Sequence, residues 1–224
     1  MARGKSATYD DQRDMILERA AQLFAKYGYP STSMNQVAQA SNLSKATLYH
    51  YYRDKYSLLV SIADGHVSRL AAMVEDEQAL ALKGEARLKH LIYRIVEEYS
   101  GAQDAHRVLT EDVKFLEAED RERVLDKERL VVAGFARAVA EMQPGLGSEH
   151  LSKPLTMLLF GMVNWMFTWM KPDGELDHAA MGPIVADLFL GGIANVKAPP
   201  ASNLLKRPET TLAQTKLGSA HIEY

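Results

Sequence analysis

Residues 33–55 constrain this chain more than any other stretch. They read Ser-Met-Asn-Gln-Val-Ala-Gln-Ala-Ser-Asn-Leu-Ser-Lys-Ala-Thr-Leu-Tyr-His-Tyr-Tyr-Arg-Asp-Lys. The pattern specifies two short helices joined by a tight turn. Ser33 suits an N-cap, because its hydroxyl can accept an orphan backbone N–H, and Gln36 three residues on completes a Ser-x-x-Gln capping box. The first helix is expected over about 34–40, with Val37 as its apolar contact and Ala38 small enough to let another helix approach. Asn42 falls where the chain must turn, and Asn tolerates positive φ better than any residue except Gly. Leu43 plugs the turn. Ser44 caps a second helix, in which Leu48 faces inward and Lys45, Thr47, Tyr49 and His50 face outward.

That outward face differs from a solubilising surface, which favours acid–base pairs four residues apart. No acid occurs between Ser33 and Arg53. A cation, a hydroxyl, a phenol and an imidazole stand within two turns, all able to bond phosphate oxygens and base edges. Helix-turn-helix proteins place their second helix in the major groove in this way. Lys45, Thr47 and His50 are the expected base readers, with Tyr49 nearer the backbone. Lys55 opens the next helix, where a helix N-terminus can meet a phosphate.

Thr32-Ser33-x-x-x-Val37-Ala38, followed by Leu43-Ser44-Lys45-Ala46-Thr47-Leu48-Tyr49-His50-Tyr51-Tyr52-x-x-Lys55-x-x-Leu58-Leu59, resembles the DNA-binding domain of the TetR family of transcriptional regulators. Two positions depart from the family pattern: Asn42 replaces the usual Gly and Tyr52 the usual Phe. The φ argument covers the first, and similar aromatic volume the second. The resemblance implies an all-α protein with an N-terminal three-helix helix-turn-helix domain and a C-terminal helical bundle for ligand binding and dimerisation. It implies a homodimeric, ligand-responsive regulator, most often a repressor, on a near-palindromic double-stranded DNA operator. The DNA-facing set is then Thr32, Ser33, Ser44, Lys45, Thr47, Tyr49, His50 and Lys55.

Composition fits a globular chain of one large or two small domains: 224 residues, 47% hydrophobic, and no cysteine for a disulfide or thiolate metal site. The basic start lacks an apolar h-region. The longest apolar segment, 155–170, is interrupted by Thr156, Gly161, Asn164 and Thr168, and falls short of the roughly 20 residues of a membrane span. A cytoplasmic location with no membrane partner is expected. Residues 1–57 carry eight Lys/Arg against five acids, net +3, so the net −3 of the chain leaves −6 for the remainder. A basic end on an acidic body suits contact with a polyanion at one end only.

Around this core motif the hydrophobic pattern predicts further helices. One runs over about 11–27, with Ile16, Ala20, Leu23, Phe24 and Tyr27 on one stripe and Gly28 as its stop. A connector is expected over about 55–82, then helices over about 85–103, around 108–116, and over 124–142, 151–170 and 177–195. The charged run 117–123 reads as a solvated loop and helix start. Residues 196–224 read as a mobile tail. The expected division is 1–54 for DNA, 55–195 for effector binding and dimerisation, and 196–224 for the tail.

The helix over 151–170 is apolar nearly all round, which calls for burial on every side or a partner chain. Leu158 and Met162, with Leu188 and Phe189 of the last helix, are the expected dimer contacts. Gly161-x-x-Asn164-Trp165-x-x-x-Trp169 also resembles the corresponding stretch of TetR-family members that respond to acyl-CoA thioesters. That likeness implies a thioester effector near Asn164, Trp165 and Trp169, with Phe115 as apolar wall. Its phosphates would need cations, for which Arg94 and Arg107 stand with Arg121, Arg123 and Lys171. Pure dimer packing accounts for the same tryptophans.

No resident cofactor, catalytic site or metal site is expected. There is no Gly-x-Ser-x-Gly elbow, no phosphate-cradling Gly loop and no His-Glu-x-x-His, and the seven histidines contain no pair three or four apart. The reading from another class is an all-helical acyl-CoA-binding accessory protein with an idle helix-turn-helix, separable by a DNA gel shift.

Overall fold

The structure, a computed structural model, describes residues 3–78, 80–142, 149–170 and 176–196. The fold is all-α. Its helices are α1 (Arg3–Tyr27), α2 (Met34–Ala40), α3 (Lys45–Tyr51), α4 (Lys55–Gln78), α5 (Gly84–Gly101), α6 (Gln103–Asp112), α7 (Ala118–Met142), α8 (Glu149–Trp169) and α9 (His178–Ile193), with one 3-10 turn, Val113–Phe115, after α6.

Three boundaries differ from expectation. α1 begins at Arg3, about two turns before the start expected near residue 11. α4 ends at Gln78, and Ala81 beyond it has a φ of 54° that no continuing helix allows. The charged run lies mostly inside α7, where Glu119 and Asp120 sit in the first turn and favour the helix dipole. Arg123 pairs with Asp120 at 2.7 Å in the same run. Residues 197–224 of the expected tail lie outside the described residues, as does Lys171.

Apolar side chains gather into two cores. The first joins Ile16 and Phe24 of α1, Val37 of α2, Leu48 of α3 and Leu58, Leu59, Ile62 and Val67 of α4. It continues past the 1–54 segment through Val108 and Leu109 of α6 and Val124 of α7. The second joins Leu70 and Val74 of α4 with inward residues of α5, α7, α8 and α9. α4 therefore changes core between Val67 and Leu70. By length and mean hydropathy the segment Lys55–Glu77 could cross a membrane, but 56% of its most apolar window is buried inside the protein, where those residues form both cores.

Arg87 of α5 locks the far end. It bonds the buried Glu77 of α4 at 3.0 Å and Glu141 of α7 at 2.7 Å. α7 crosses α4 at close range because Gly134 lies against Val74, and a Cβ built at Gly134 would collide with the Val74 side chain. Gly134→Ala should therefore force the helices apart and lower unfolding stability by about 1–3 kcal/mol, the usual cost of overpacking. Urea denaturation checks this; an unchanged midpoint would mean that the crossing yields freely.

Candidate DNA-binding face and effector cavity

Local chemistry builds α2 and α3. Ser33 accepts the Gln36 N–H at 3.3 Å, and the Gln36 side chain accepts the Ser33 N–H at 2.8 Å, closing the capping box. Ser44 accepts the Thr47 N–H at 3.0 Å, and the two hydroxyls lie 2.7 Å apart. Asn42 takes a φ of 53°, and the Leu43 N–H reaches the Ala38 carbonyl at 2.9 Å across the turn. Leu48 is fully buried, which leaves Lys45, Thr47, Tyr49 and His50 in solvent. Tyr9 of α1 stacks on Tyr51 with ring centres 4.8 Å apart, so α1 braces the end of α3.

Two expected DNA contacts hold other partners. Thr32 is 2% exposed, and its hydroxyl donates to the Gly28 carbonyl at 3.0 Å and the Leu23 carbonyl at 3.3 Å. It ties the start of α2 to the last turn of α1 and to the Gly28 carbonyl just beyond it, so it is a structural brace. The Lys55 ammonium donates to the Tyr29 carbonyl at 2.8 Å and the Pro30 carbonyl at 3.1 Å, and lies 4.4 Å from the Tyr29 ring centre. Its cation fixes the loop between α1 and α2, and burial holds its pKa below the usual lysine value.

That loop is also joined to the body. Asp112 at the end of α6 is buried beside the Tyr29 backbone, and burial raises its carboxyl pKa while the Tyr29 backbone lowers it. The Phe115 ring lies 5.5 Å from the Tyr29 ring. The Tyr56 hydroxyl of α4 donates to Asp120 at 2.7 Å and accepts the Glu117 N–H at 2.9 Å.

The residues expected around an effector do not form one set. Phe115 packs on Tyr29, beside the helix-turn-helix, and does not join the tryptophans. Trp165 and Trp169 are 66% and 52% exposed on the outer side of α8. Asn164 points the other way and accepts the Tyr99 hydroxyl at 2.9 Å. Arg94 is paired along the outside of α5 with Glu97 and Glu98, Arg107 with Glu111 on α6, and Arg123 with Asp64 and Asp120. Of the expected dimer contacts, Leu158 and Leu188 are 66% and 65% exposed and Met162 is half-buried, but Phe189 is 8% exposed and packs in the second core. A helix apolar on two sides does not reveal from sequence which side is inner.

Inside the bundle, a cavity with room for roughly one water is lined by Tyr99, Gln103, His106, Val163, Met166 and His178. The Tyr99 ring stacks on His106 with centres 3.8 Å apart. His106 Nδ1 lies 3.3 Å from Nε2 of His66 on α4, and an Arg69 guanidinium nitrogen lies 3.4 Å from His66 Nδ1. Gln103 Nε2 lies 3.4 Å from His178 Nε2. Burial pushes His66 down to about 3, helped by the neighbouring His106 and Arg69, and His106 down to about 4. No local pattern announces this cluster, because forty residues separate its two central rings. Among the described residues no group of three or more potential ligands converges as a metal site.

An all-helical chain with a capped, outward-facing helix-turn-helix at one end and a helical bundle built around the same connector is a helix-turn-helix transcriptional regulator. The chain belongs to the TetR family. Its residues 16–62 match the profile described as "Bacterial regulatory proteins, tetR family", and 81–193 match "Tetracyclin repressor-like, C-terminal domain". A TetR-family transcriptional regulator from Bordetella parapertussis is 31% identical, with a TM-score of 0.76, covering 84% of this chain and 98% of that one. The transcriptional repressor KstR2 of Rhodococcus jostii is 23% identical over 187 residues, 82% of this chain and 92% of that protein. AibR, solved in complex with isovaleryl coenzyme A and operator DNA, is 25% identical with a TM-score of 0.67, covering 81% of this chain and 97% of that one.

The two buried imidazoles make stability depend on pH. A histidine in the unfolded chain titrates near 6.5, well above its folded value here. Between those values the unfolded chain binds more protons, so stability falls as pH drops, by up to about 1.4 kcal/mol per pH unit for each ring. The urea midpoint should be lower at about pH 5 than at about pH 7, and His66→Gln should flatten that slope. An equal slope in the variant would show that His66 is not the titrating group.

Proposed function

We propose that the protein is a cytoplasmic, homodimeric repressor that holds a near-palindromic operator and releases it when an acyl-CoA thioester binds. The observation that carries this reading is the acid-free, solvent-facing side of α3, with Lys45, Thr47, Tyr49 and His50 on a helix fixed by its own cap. Lys45, Thr47 and His50 reach base edges, and Tyr49 lies nearer the backbone with the Ser33 and Ser44 ends of α2 and α3. Two such helices must meet successive major-groove faces about 34–36 Å apart, or a multiple of that.

A second copy of the chain supplies that geometry. Leu158, Met162, Trp165 and Trp169 form one stripe along α8 at i, i+4, i+7 and i+11, and Ile184 and Leu188 form another on α9. Five of the six are exposed in the single chain. An apolar patch of this kind marks an interaction surface, and a two-fold axis would pair it with itself. The bundle cavity supports an effector entering between α5, α6, α8 and α9. Arg107 lies one turn beyond Gln103 on the same side of α6, a position suited to a phosphate at the mouth. The complex of the relative AibR with isovaleryl coenzyme A supports the thioester class. Occupation would move α6 against α4, and it favours release only by binding the DNA-incompetent state more tightly.

A gel shift on DNA flanking the protein's own gene tests the whole reading. Retention at low salt, with release on adding an acyl-CoA, is expected; no retention of any flanking sequence would leave the helix-turn-helix idle.

Lys45→Ala should relax preference at one operator position and cost about 1–3 kcal/mol there. Selection from a randomised operator library reads this directly, and an unchanged consensus would make Lys45 a phosphate contact. Leu188→Glu should yield a folded monomer with red-shifted tryptophan emission and loss of operator binding, since it places a charge beside the exposed tryptophans without entering the core. Sedimentation of the wild type as a monomer at micromolar concentration would overturn the interface.

A further inference from the structure

The first turns of α1 extend beyond what the first core requires. The helix begins at Arg3, yet among its described side chains the first to be buried is Ile16. Tyr9, two turns earlier, is 40% exposed and takes no part in either core. Its ring nonetheless has a defined place. It stacks on Tyr51 of α3, with centres 4.8 Å and planes 27° apart, and meets His50 edge-on at 6.4 Å and 87°. His50 and Tyr51 themselves meet edge-on at 5.7 Å and 81°. All three pairs have separations that aromatic rings favour. One turn on, the Arg13 guanidinium stands 5.6 Å from the centre of the Tyr52 ring. Tyr9 and Arg13 are four residues apart and so share one face of α1, and that face runs along the last turn of α3.

α3 depends on such support. It has seven residues, and a helix of two turns is not stable by itself. Ser44 caps its start and Leu48 buries its middle, but the last turn, which carries His50, passes into extended backbone at Tyr52. Tyr51 is half-buried against the first core and supplies a fixed wall. His50 is exposed, and an unsupported surface imidazole would exchange among rotamers. Here one ring from each helix meets it. A ring contact restrains the imidazole without a hydrogen bond, so its bonding capacity is kept for a base edge.

We infer that Tyr9 is a specificity-determining positioning residue of the DNA-binding face. With Tyr51 it holds the His50 imidazole in the orientation that meets a base edge, so preference at that operator position depends on a side chain outside the helix-turn-helix. The inference rests on the base-reading role given to α3 above. Tyr9 precedes residues 16–62, the stretch matched by the family profile, so this support belongs to the chain's own extension of α1. The gain is preorganisation: a side chain already held in its bound rotamer loses less freedom on binding. An imidazole N–H aimed into the major groove can donate to an acceptor such as a purine N7. Binding through phosphates alone carries no sequence information, so the aim of His50 matters on the operator and not on unrelated DNA.

The test uses the full-length protein, an operator selected from a randomised library and a scrambled duplex of equal length. Tyr9→Ala should weaken operator binding about 3- to 10-fold, the loss expected when one side chain must be ordered on binding. It should leave the scrambled duplex unchanged and relax the same base position as His50→Ala. Tyr9→Phe keeps the ring and should behave as wild type. In the double variant Tyr9→Ala should add nothing to His50→Ala. In the DNA-free protein the His50 ring-proton signals should move in Tyr9→Ala and hold nearly still in Tyr9→Phe. Losses that add, or unmoved His50 signals, would overturn the inference and leave the reading of α3 standing. An equal loss on both duplexes would overturn it too, making Tyr9 a brace of the fold. Tyr9→Phe as weak as Tyr9→Ala would instead make the hydroxyl a direct DNA contact. An unchanged consensus in His50→Ala would overturn the base-reading role of His50 and this inference together.

Discussion

α4 is a single helix that belongs to two cores, and that constraint governs how the molecule can move. Its 24 residues span about 36 Å. The first three turns lie among the helix-turn-helix residues, and the turns after Val67 lie among α5, α7, α8 and α9. A straight helix buried at both ends transmits displacement along its length, because close-packed interiors yield little. Ion pairs hold it to α7: Lys127 bonds Asp64 at 2.6 Å and Ser68 at 2.8 Å, while Arg123 reaches Asp64 at 3.2 Å. The far end is clamped by Arg87. α6 is less encumbered. It is ten residues long, it starts without a side-chain cap, and it ends in a 3-10 turn.

α6 is therefore the element through which the bundle can address the DNA-binding end. Its inner face carries Val108 and Leu109 in the first core, while His106, a turn earlier, lines the cavity of the second. Its last residue, Asp112, is buried beside the Tyr29 backbone, and Phe115 just beyond lies against the Tyr29 ring. Tyr29 in turn is fixed by Lys55, the first residue of α4. A shift of α6 thus reaches α4 at two places, its middle through the His66–His106 contact and its start through the loop around Tyr29. Both are short polar or aromatic contacts with one good geometry, which suits a two-state response better than a graded one.

The helix-turn-helix was legible because its determinants are local. Ser33, Gln36, Asn42 and Ser44 each act within four residues, and each is bonded or bent as its chemistry requires. The all-α class followed from periodicity in the same way. The bundle was less legible, because its decisive facts are matters of which side faces which neighbour. Trp165 and Phe189 sit on helices apolar on two sides, so pattern alone could not separate core from surface. The contacts of Lys55 with the carbonyls of Tyr29 and Pro30, twenty-six and twenty-five residues earlier, were invisible in the sequence for the same reason. His66 and His106 looked like scattered histidines because the contact joining them is purely tertiary.

The placement of the polar cluster bears on which state the empty protein prefers. Three imidazoles, a phenol and two amides sit among largely apolar neighbours, and each needs its hydrogen bond to offset its lost hydration. With the cavity closed to about one water, His66, Tyr99 and Gln103 hold partners within the bundle. A ligand larger than that space would have to part the lining helices, and the polar groups there would lose partners unless the ligand replaced them. An apolar molecule of the right size would fill the space but leave polar groups unmet. Differential affinity for the open state, the quantity that moves the equilibrium, would then depend on meeting those polar groups as well as on apolar volume. That is why a buried polar chain is better suited to this position than the more easily packed apolar core around it.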